Sequence, residues 1–154
     1  MKHIFIISLL CIISCNTKME KYNNIIQDTE EINNIKEVLN RQRKCWNNGD
    51  IDGFMQGYWK SKDLVFTSAR HKPAYGWEET NKRYKESYPT KDKMGELKFE
   101  ILNVTLTSKT TANLKGKWKL VREQDDPHGL FWLDLKKFDD NWVITKDSTL
   151  SYEI

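Results

Sequence analysis

The side chains that could act as a general base in this sequence are carboxylates, because a lone Asp or Glu in an apolar pocket has its pKa raised by desolvation. Asp134 is the first to test, since it lies inside the apolar stretch GLFWLDLKKF, residues 129–138. Alternation along a strand places Phe131 and Leu133 on one face and Asp134 on the other. We therefore expect Asp134 to face water and exclude it as the base. Trp132 shares that outward face, and a large exposed aromatic side chain can mark a protein interface.

Other kinds of catalytic or binding site have little support in the sequence. The chain has 3 histidines, 3 cysteines and 7 glycines, and they do not form a zinc-ligand spacing, a Gly-x-Ser-x-Gly motif or a Gly-rich phosphate loop. Cys45 lies on the apolar side of a predicted helix, where a cysteine usually packs as a small hydrophobic residue. The net charge is +3, without the concentrated basic block typical of nucleic-acid binding. We expect no metal, no cofactor and no nucleic-acid partner.

The first residues are typical of a bacterial lipoprotein signal. A short basic start precedes the apolar run IFIISLLCII at residues 4–13, which is too short to span a bilayer. The tail IISC resembles a lipobox, which implies cleavage before Cys15 and acylation of its thiol. In an ordinary secretory signal Cys15 would instead be incidental. We expect a signal peptide at 1–14, a lipidated cysteine with a polar tether at 15–27, and a lipid-anchored protein of the cell envelope, periplasmic or in the outer membrane.

The remaining residues, 28–154, have the length of one domain. Asp28 and Glu31 form the pattern of a capping box at the start of a first helix. The segment NNGD at 47–50 predicts an elbow, after which Asp50 caps a shorter helix. A third helix is predicted at 76–88. The apolar stripe of the first helix consists of Ile32, Ile35, Leu39, Gln42 and Trp46.

Strand patterns fill the rest of the domain. Residues 63–69 predict a first strand, and HKPAYG, residues 71–76, predicts a turn. From residue 96 onward, long alternating segments are separated by short turns. This arrangement predicts an antiparallel sheet, because parallel strands need crossover connections. Helices followed by a meander of strands indicate an α+β fold.

The order of these elements and three motifs resemble the nuclear transport factor 2-like superfamily, in its SnoaL-like or ketosteroid-isomerase-like group. The motifs are WNNGDIDGFMQGYW at 46–59, GWEETNKRY at 76–84 and the run GKWKLVREQDD that begins at Gly116. The resemblance implies a cone-shaped roll of three N-terminal helices packed on a curved antiparallel sheet. It also implies a pocket at the wide end and, frequently, a dimer through the sheet. It implies no particular reaction, because the superfamily includes isomerases, dehydratases and members that only bind or assemble.

The resemblance also implies candidate site residues. Asp147 matches an Asp found five residues after the Trp of the last hairpin, here Trp142, and this position makes Asp147 the candidate base. Arg122 could instead form a structural salt bridge with Asp147. His71 follows the first strand and could lie at the pocket rim or simply on the surface. The side chains expected to line an aromatic pocket, or alternatively a plain core, are Trp46, Tyr58, Trp59, Phe66, Trp77, Tyr84, Trp118 and Arg122.

Three functions are open at this point. We favour binding of a small apolar or amphipathic ligand, or of a partner, without catalysis, because no complete catalytic set matches. The second is an isomerase, dehydratase or hydrolase with Asp147 as base, which requires Asp147 to lie unpaired in the cavity. The third is an assembly module that forms a homodimer through the sheet face carrying Trp132. Whether the protein is an enzyme is undecided by the sequence.

Overall fold

The structure is a computed structural model that describes residues 7–69 and 71–152, with side chains described from residue 21 onward. The chain divides into two units, Met1–Asn33 and Asn34–Ile154. The first six residues of the predicted signal peptide and the side chain of Cys15 lie outside what is described. Cleavage, lipidation and the predicted limits of the domain therefore stay predictions.

The first helix, α1 (Ile7–Asn47), is longer than the sequence predicts. It passes through residue 28 without a break, so the prediction that a helix begins at a capping Asp28 is wrong. The hydroxyl of Thr29 donates to the carbonyl oxygen of Ile25 at 2.8 Å, one helical turn earlier. Residues 16–27, predicted as a tether, contain no Gly or Pro to interrupt a helix. No helix among the described residues is both long and apolar enough to cross a membrane.

In the second unit, the stripe predicted for α1 faces the core. Ile35, Leu39 and Trp46 are buried as expected. Gln42 is buried too, and its side-chain amide donates to the carbonyl oxygen of Phe54 at 3.1 Å, which satisfies a polar group inside the core.

The predicted elbow after α1 is confirmed. Gly49 has a φ of +80°, a conformation that favours glycine. The carboxylate of Asp50 then accepts from the Gly53 amide at 2.7 Å and caps α2 (Ile51–Met55). Two further helices are α3 (Trp77–Ser87) and the single turn α4 (Lys91–Met94), of which only α3 was predicted.

Six strands form one curved sheet in the order β2-β1-β6-β5-β4-β3. The strands are β1 (Val65–Ser68), β2 (His71–Tyr75), β3 (Glu96–Leu106), β4 (Thr111–Val121), β5 (His128–Phe138) and β6 (Asn141–Ser151). The sheet is antiparallel except that β1 pairs in parallel with β6. Strand β2 corrects the prediction of a turn at HKPAYG. Pro73 is tolerated in this strand because β2 forms the edge of the sheet.

The predicted faces of the long strands are confirmed. Leu114, Leu133 and Leu135 are buried on the side packed against the helices. Asp134 is exposed on the opposite side, where it accepts from the Asn113 amide at 2.7 Å. An enclosed site in this unit is therefore expected between the helices and the inner, concave face of the sheet.

Candidate functional site

A cavity of about 330 Å³ lies between the helices and the inner face of the sheet, within the second unit. This volume is in the range of small-molecule sites. Side chains of α1, α2 and α3 form one wall, and those of strands β1–β6 form the other. Its aromatic lining consists of Trp46, Phe54, Tyr58, Phe66, Tyr84, Tyr88, Phe99, Trp118 and Phe131.

Most side chains predicted for the pocket line this cavity, but Trp59 and Trp77 do not. Trp59 follows Tyr58 along an extended segment that bridges to β6, so its ring turns away and stacks on Phe138 at 5.2 Å. Trp77 opens α3 and packs against α2, where its indole donates to the carbonyl oxygen of Met55 at 3.0 Å. The predicted residues that do line the cavity are Trp46, Tyr58, Phe66, Tyr84, Trp118, Arg122, Asp147 and His71.

Asp147 is buried in this lining, with 4% of its surface exposed. Tyr58 donates a hydrogen bond to Oδ2 at 2.7 Å, and Thr149 donates one to Oδ1 at 2.8 Å. Burial raises the pKa of Asp147 from 3.8 to about 6, although both hydrogen bonds act to lower it. A pKa of about 6 lies close to neutral pH, the range that suits a general base.

Arg122 does not pair with Asp147, so the structural salt bridge considered from the sequence is wrong. The guanidinium of Arg122 binds the Asp125 carboxylate through two nitrogens, at 2.6 and 2.7 Å. It also donates to the carbonyl oxygen of Lys93 at 3.0 Å. Arg122 thereby holds the connection between β4 and β5, and Asp147 has no cationic partner among the described ion pairs.

Two tyrosines extend the hydrogen-bond chain that begins at Asp147. The hydroxyl oxygens of Tyr58 and Tyr84 are 3.1 Å apart. Burial, followed by the negative charge of Asp147, raises the pKa of both well above 10, so both stay protonated. When Asp147 is ionised, the single proton of Tyr58 is donated to it, and Tyr84 must donate to Tyr58. The direction of the chain therefore depends on the charge of Asp147.

No family model matches the chain, and no curated protein matches it. Among solved structures, an NTF-2 like protein of unknown function from Shewanella oneidensis MR-1 is 42% identical, with a TM-score of 0.74. The match covers 78% of this chain and 98% of that chain. The chain belongs to the NTF2-like family.

Two more distant structures share the fold of this NTF2-like chain. A ketosteroid isomerase-like protein from Erwinia carotovora atroseptica SCRI1043 is 18% identical with a TM-score of 0.68, over 81% of this chain and 98% of that chain. A candidate scytalone dehydratase from Novosphingobium aromaticivorans DSM 12444 is 13% identical with a TM-score of 0.66, over 84% and 89%. The predicted α+β fold of helices on a curved sheet is thereby confirmed.

Several cavity residues of this NTF2-like domain were not singled out from the sequence. They include Arg83 of α3 and Ser68 of β1. The place of Ser68 in the cavity follows from the parallel pairing of β1 with β6. The sequence did not predict this pairing, because the two strands are far apart along the chain. Arg83 precedes the predicted Tyr84, and its position on the flank of the apolar face of α3 was the one available signal. No group of three His, Cys, Asp or Glu able to hold a metal ion forms within the described part of the chain.

The outer face of the NTF2-like sheet carries Trp132, as predicted. The side chain is 37% exposed, and the ammonium of Lys115 lies 5.3 Å from the centre of its ring. A pairing of two copies through this face stays a prediction.

Proposed function

We propose that this NTF2-like domain binds a small apolar molecule in its cavity and that Asp147 moves a proton on that molecule. The observation that carries the proposal is a carboxylate buried in an aromatic cavity and bonded by neutral hydroxyls instead of a cation. This arrangement favours the enzyme of isomerase or dehydratase type over binding without catalysis. A purely binding cavity has no use for an ionisable group that burial destabilises.

The chemistry that fits this set is removal of a proton from a carbon next to a carbonyl group. Asp147 accepts the proton, and the electrons of the C–H bond move to the carbonyl oxygen, giving an enolate. An ionised carboxylate has about four acceptor sites, of which Tyr58 and Thr149 occupy two, so lone pairs remain for the substrate.

The tyrosine chain supplies the matching donor. Once Asp147 is neutral, its carboxyl proton can be donated to Tyr58. Tyr58 can then donate to Tyr84, and the proton of Tyr84 becomes free to bind the enolate oxygen. Tyr84 can stabilise the developing negative charge only if it turns toward the oxygen as Asp147 takes up the proton in the same step. Return of the proton to another carbon completes an isomerisation.

A test that needs no natural substrate is hydrogen exchange of a small aryl ketone, phenylacetone, in heavy water. Proton NMR follows the loss of the signals of the hydrogens next to the carbonyl. We expect the protein to accelerate exchange, with a rate that rises with pH through about 6 as Asp147 ionises. Asp147→Asn should lower the accelerated rate by about 100-fold or more, whereas Asp134→Asn on the outer face should leave it unchanged.

The same samples separate catalysis from binding. Shifts in the tryptophan indole resonances report whether phenylacetone occupies the cavity, because Trp46 and Trp118 line it. Occupancy without accelerated exchange would refute the proton transfer and restore simple binding. Equal rates in the Asp147→Asn and unchanged proteins would refute the role of Asp147.

We also propose that the protein is lipid-anchored in the cell envelope through Cys15. The support is the sequence pattern at residues 4–15, in which an apolar run ends in IISC. Cells fed a labelled palmitate analogue should incorporate it into the unchanged protein and into Cys45→Ser, but not into Cys15→Ser. Labelling that persists in Cys15→Ser, or is absent from the unchanged protein, would contradict the anchor.

A further inference from the structure

One part of the cavity lining is polar and cationic. Arg83 lines it with 20% of its side chain exposed. One of the five N–H donors of its guanidinium is occupied, by the Lys72 carbonyl oxygen at 2.6 Å. The Glu79 carboxylate lies 3.9 Å away, beyond hydrogen-bond distance. Arg83 thus brings to the cavity a positive charge whose hydrogen-bonding capacity is largely unused among the described contacts.

The neighbouring strands place two further polar groups beside Arg83. Ser68 lines the cavity, and its hydroxyl oxygen is buried with no hydrogen-bond partner among the described residues. His71 is directly opposite Ser68 in the antiparallel pair of β1 and β2, and it also lines the cavity. Lys72, whose carbonyl oxygen fixes Arg83, is the next residue after His71. The three side chains therefore converge from α3, β1 and β2.

Within the described lining of the cavity no carboxylate neutralises Arg83, whose recorded ion pair is the long contact with the half-exposed Glu79. Arg122 also lines the cavity, but two hydrogen bonds to Asp125 already neutralise it. Asp147 is the one carboxylate in the described lining. Because β1 pairs in parallel with β6, Phe66 is opposite Asp147 and Ser68 is opposite Thr149. Ser68 is therefore displaced from Asp147 by two residues along the strand and by one spacing between strands, about 8 Å in all.

We propose that the substrate of this site is a small amphipathic carboxylic acid, whose carboxylate is bound by Arg83, Ser68 and His71 while its apolar body extends toward Asp147. A guanidinium binds a planar carboxylate with two parallel hydrogen bonds, and the Ser68 hydroxyl supplies the donor that is otherwise unused. The reacting carbon would then lie about 8 Å from the carboxylate. This inference rests on the proposed function, since it names the substrate class of the same cavity.

The test compares two probes of the same shape, phenylbutyrate and phenylbutyramide, by isothermal titration calorimetry at neutral pH. The acid should bind the unchanged protein about tenfold or more tightly than the amide, the usual effect of hydrogen bonds to a charged group. Arg83→Gln should abolish the preference by weakening binding of the acid alone. Lys82→Gln removes a neighbouring cation of α3 that pairs with Glu86 outside the cavity, and it should keep the preference.

Each outcome decides for or against the inference. Equal affinity for acid and amide, or a preference that survives Arg83→Gln, overturns it, while phenylacetone exchange by the same protein leaves the proposed function standing. Failure of both probes to bind, together with absence of phenylacetone exchange, overturns the proposed function as well. Because the Arg83 side chain is partly exposed, circular dichroism of Arg83→Gln should match that of the unchanged protein. Arg83→Lys, which keeps the charge without the planar fork, should retain part of the preference.

Discussion

Replacing Asp147 by Asn should remove the pH dependence that this residue imposes on stability. Burial raises the pKa of Asp147 from 3.8 to about 6. The neutral acid is therefore favoured in the folded protein, and its contribution to stability is complete below pH 3.8 and lost as the pH rises through about 6. Asparagine has no charge to bury at any of these pH values, and its carbonyl oxygen can still accept from Tyr58.

The size of the effect follows from the same two pKa values. A difference between 3.8 and about 6 corresponds to about 3 kcal/mol of unfolding free energy when Asp147 is fully ionised. Asp147 is 4% exposed, so solvent screening reduces this figure little. The amide group of Asn is a donor, so the contact with Thr149 must rearrange, at a cost of about 1 kcal/mol that does not depend on pH.

Urea unfolding followed by tryptophan fluorescence measures this directly. The unfolding free energy of Asp147→Asn minus that of the unchanged protein should rise by about 2.4 kcal/mol between about pH 4 and about pH 7. Asp134→Asn, which removes an exposed carboxylate from the same sheet, should reproduce the pH profile of the unchanged protein. Carbon NMR of the Asp147 carboxyl should give a midpoint of about 6. A difference that stays flat with pH would refute the reasoning, because Asp147 would then not be a buried carboxyl with a raised pKa.

Three further predictions concern the supporting structure. Tyr58→Phe removes a hydrogen bond that lowers the pKa of Asp147, so the NMR midpoint should rise above about 6; an unchanged midpoint would contradict that bond. Gly129→Ala should destabilise the fold by at least about 2 kcal/mol in urea, because a Cβ there would lie 1.8 Å from the Leu150 carbonyl oxygen. Trp132→Ala should weaken a homodimer in sedimentation equilibrium while changing stability little, since its side chain is 37% exposed; monomers in both proteins would exclude pairing through this face.

Local patterns predicted the faces of the elements well. Period two correctly placed Asp134 outward and Leu133 inward, because a slip of one residue would bury an acid and expose several large apolar side chains. Helical spacing likewise placed Trp46 and Tyr84 on the apolar faces of their helices, and the family resemblance implied their place at the cavity. These faces were predictable because the periodicity of apolar residues within one element decides which of its sides is buried.

The predictions that failed depended on contacts between distant segments or on the absence of a stop signal. Strand β2 forms because its backbone pairs with the free edge of β1. The residues HKPAYG alone do not indicate this pairing. The start of α1 was predicted at the wrong residue, Asp28. The capping pattern there can begin a helix, but it does not interrupt a helix that has already begun at an earlier residue. Arg122 forms its ion pair with Asp125, three residues away, and not with Asp147, 25 residues away. The turn before β5 brings the Asp125 carboxylate back to the Arg122 guanidinium.

The hydrogen bond between Tyr58 and Asp147 joins residues 89 positions apart. It is the contact on which the proposed function rests. An Asn at this position would accept the hydrogen bond from Tyr58 without a buried charge, at the smaller cost of rearranging the contact with Thr149. The ionised Asp147 instead costs the fold about 3 kcal/mol, a large part of the stability of an ordinary domain. An ionisable group of such a cost, in a cavity with an open acceptor site, supports the proposed function, because that function needs its charge. The proposed proton transfer is such a step, and under that proposal the stability gained by Asp147→Asn should accompany loss of ketone exchange.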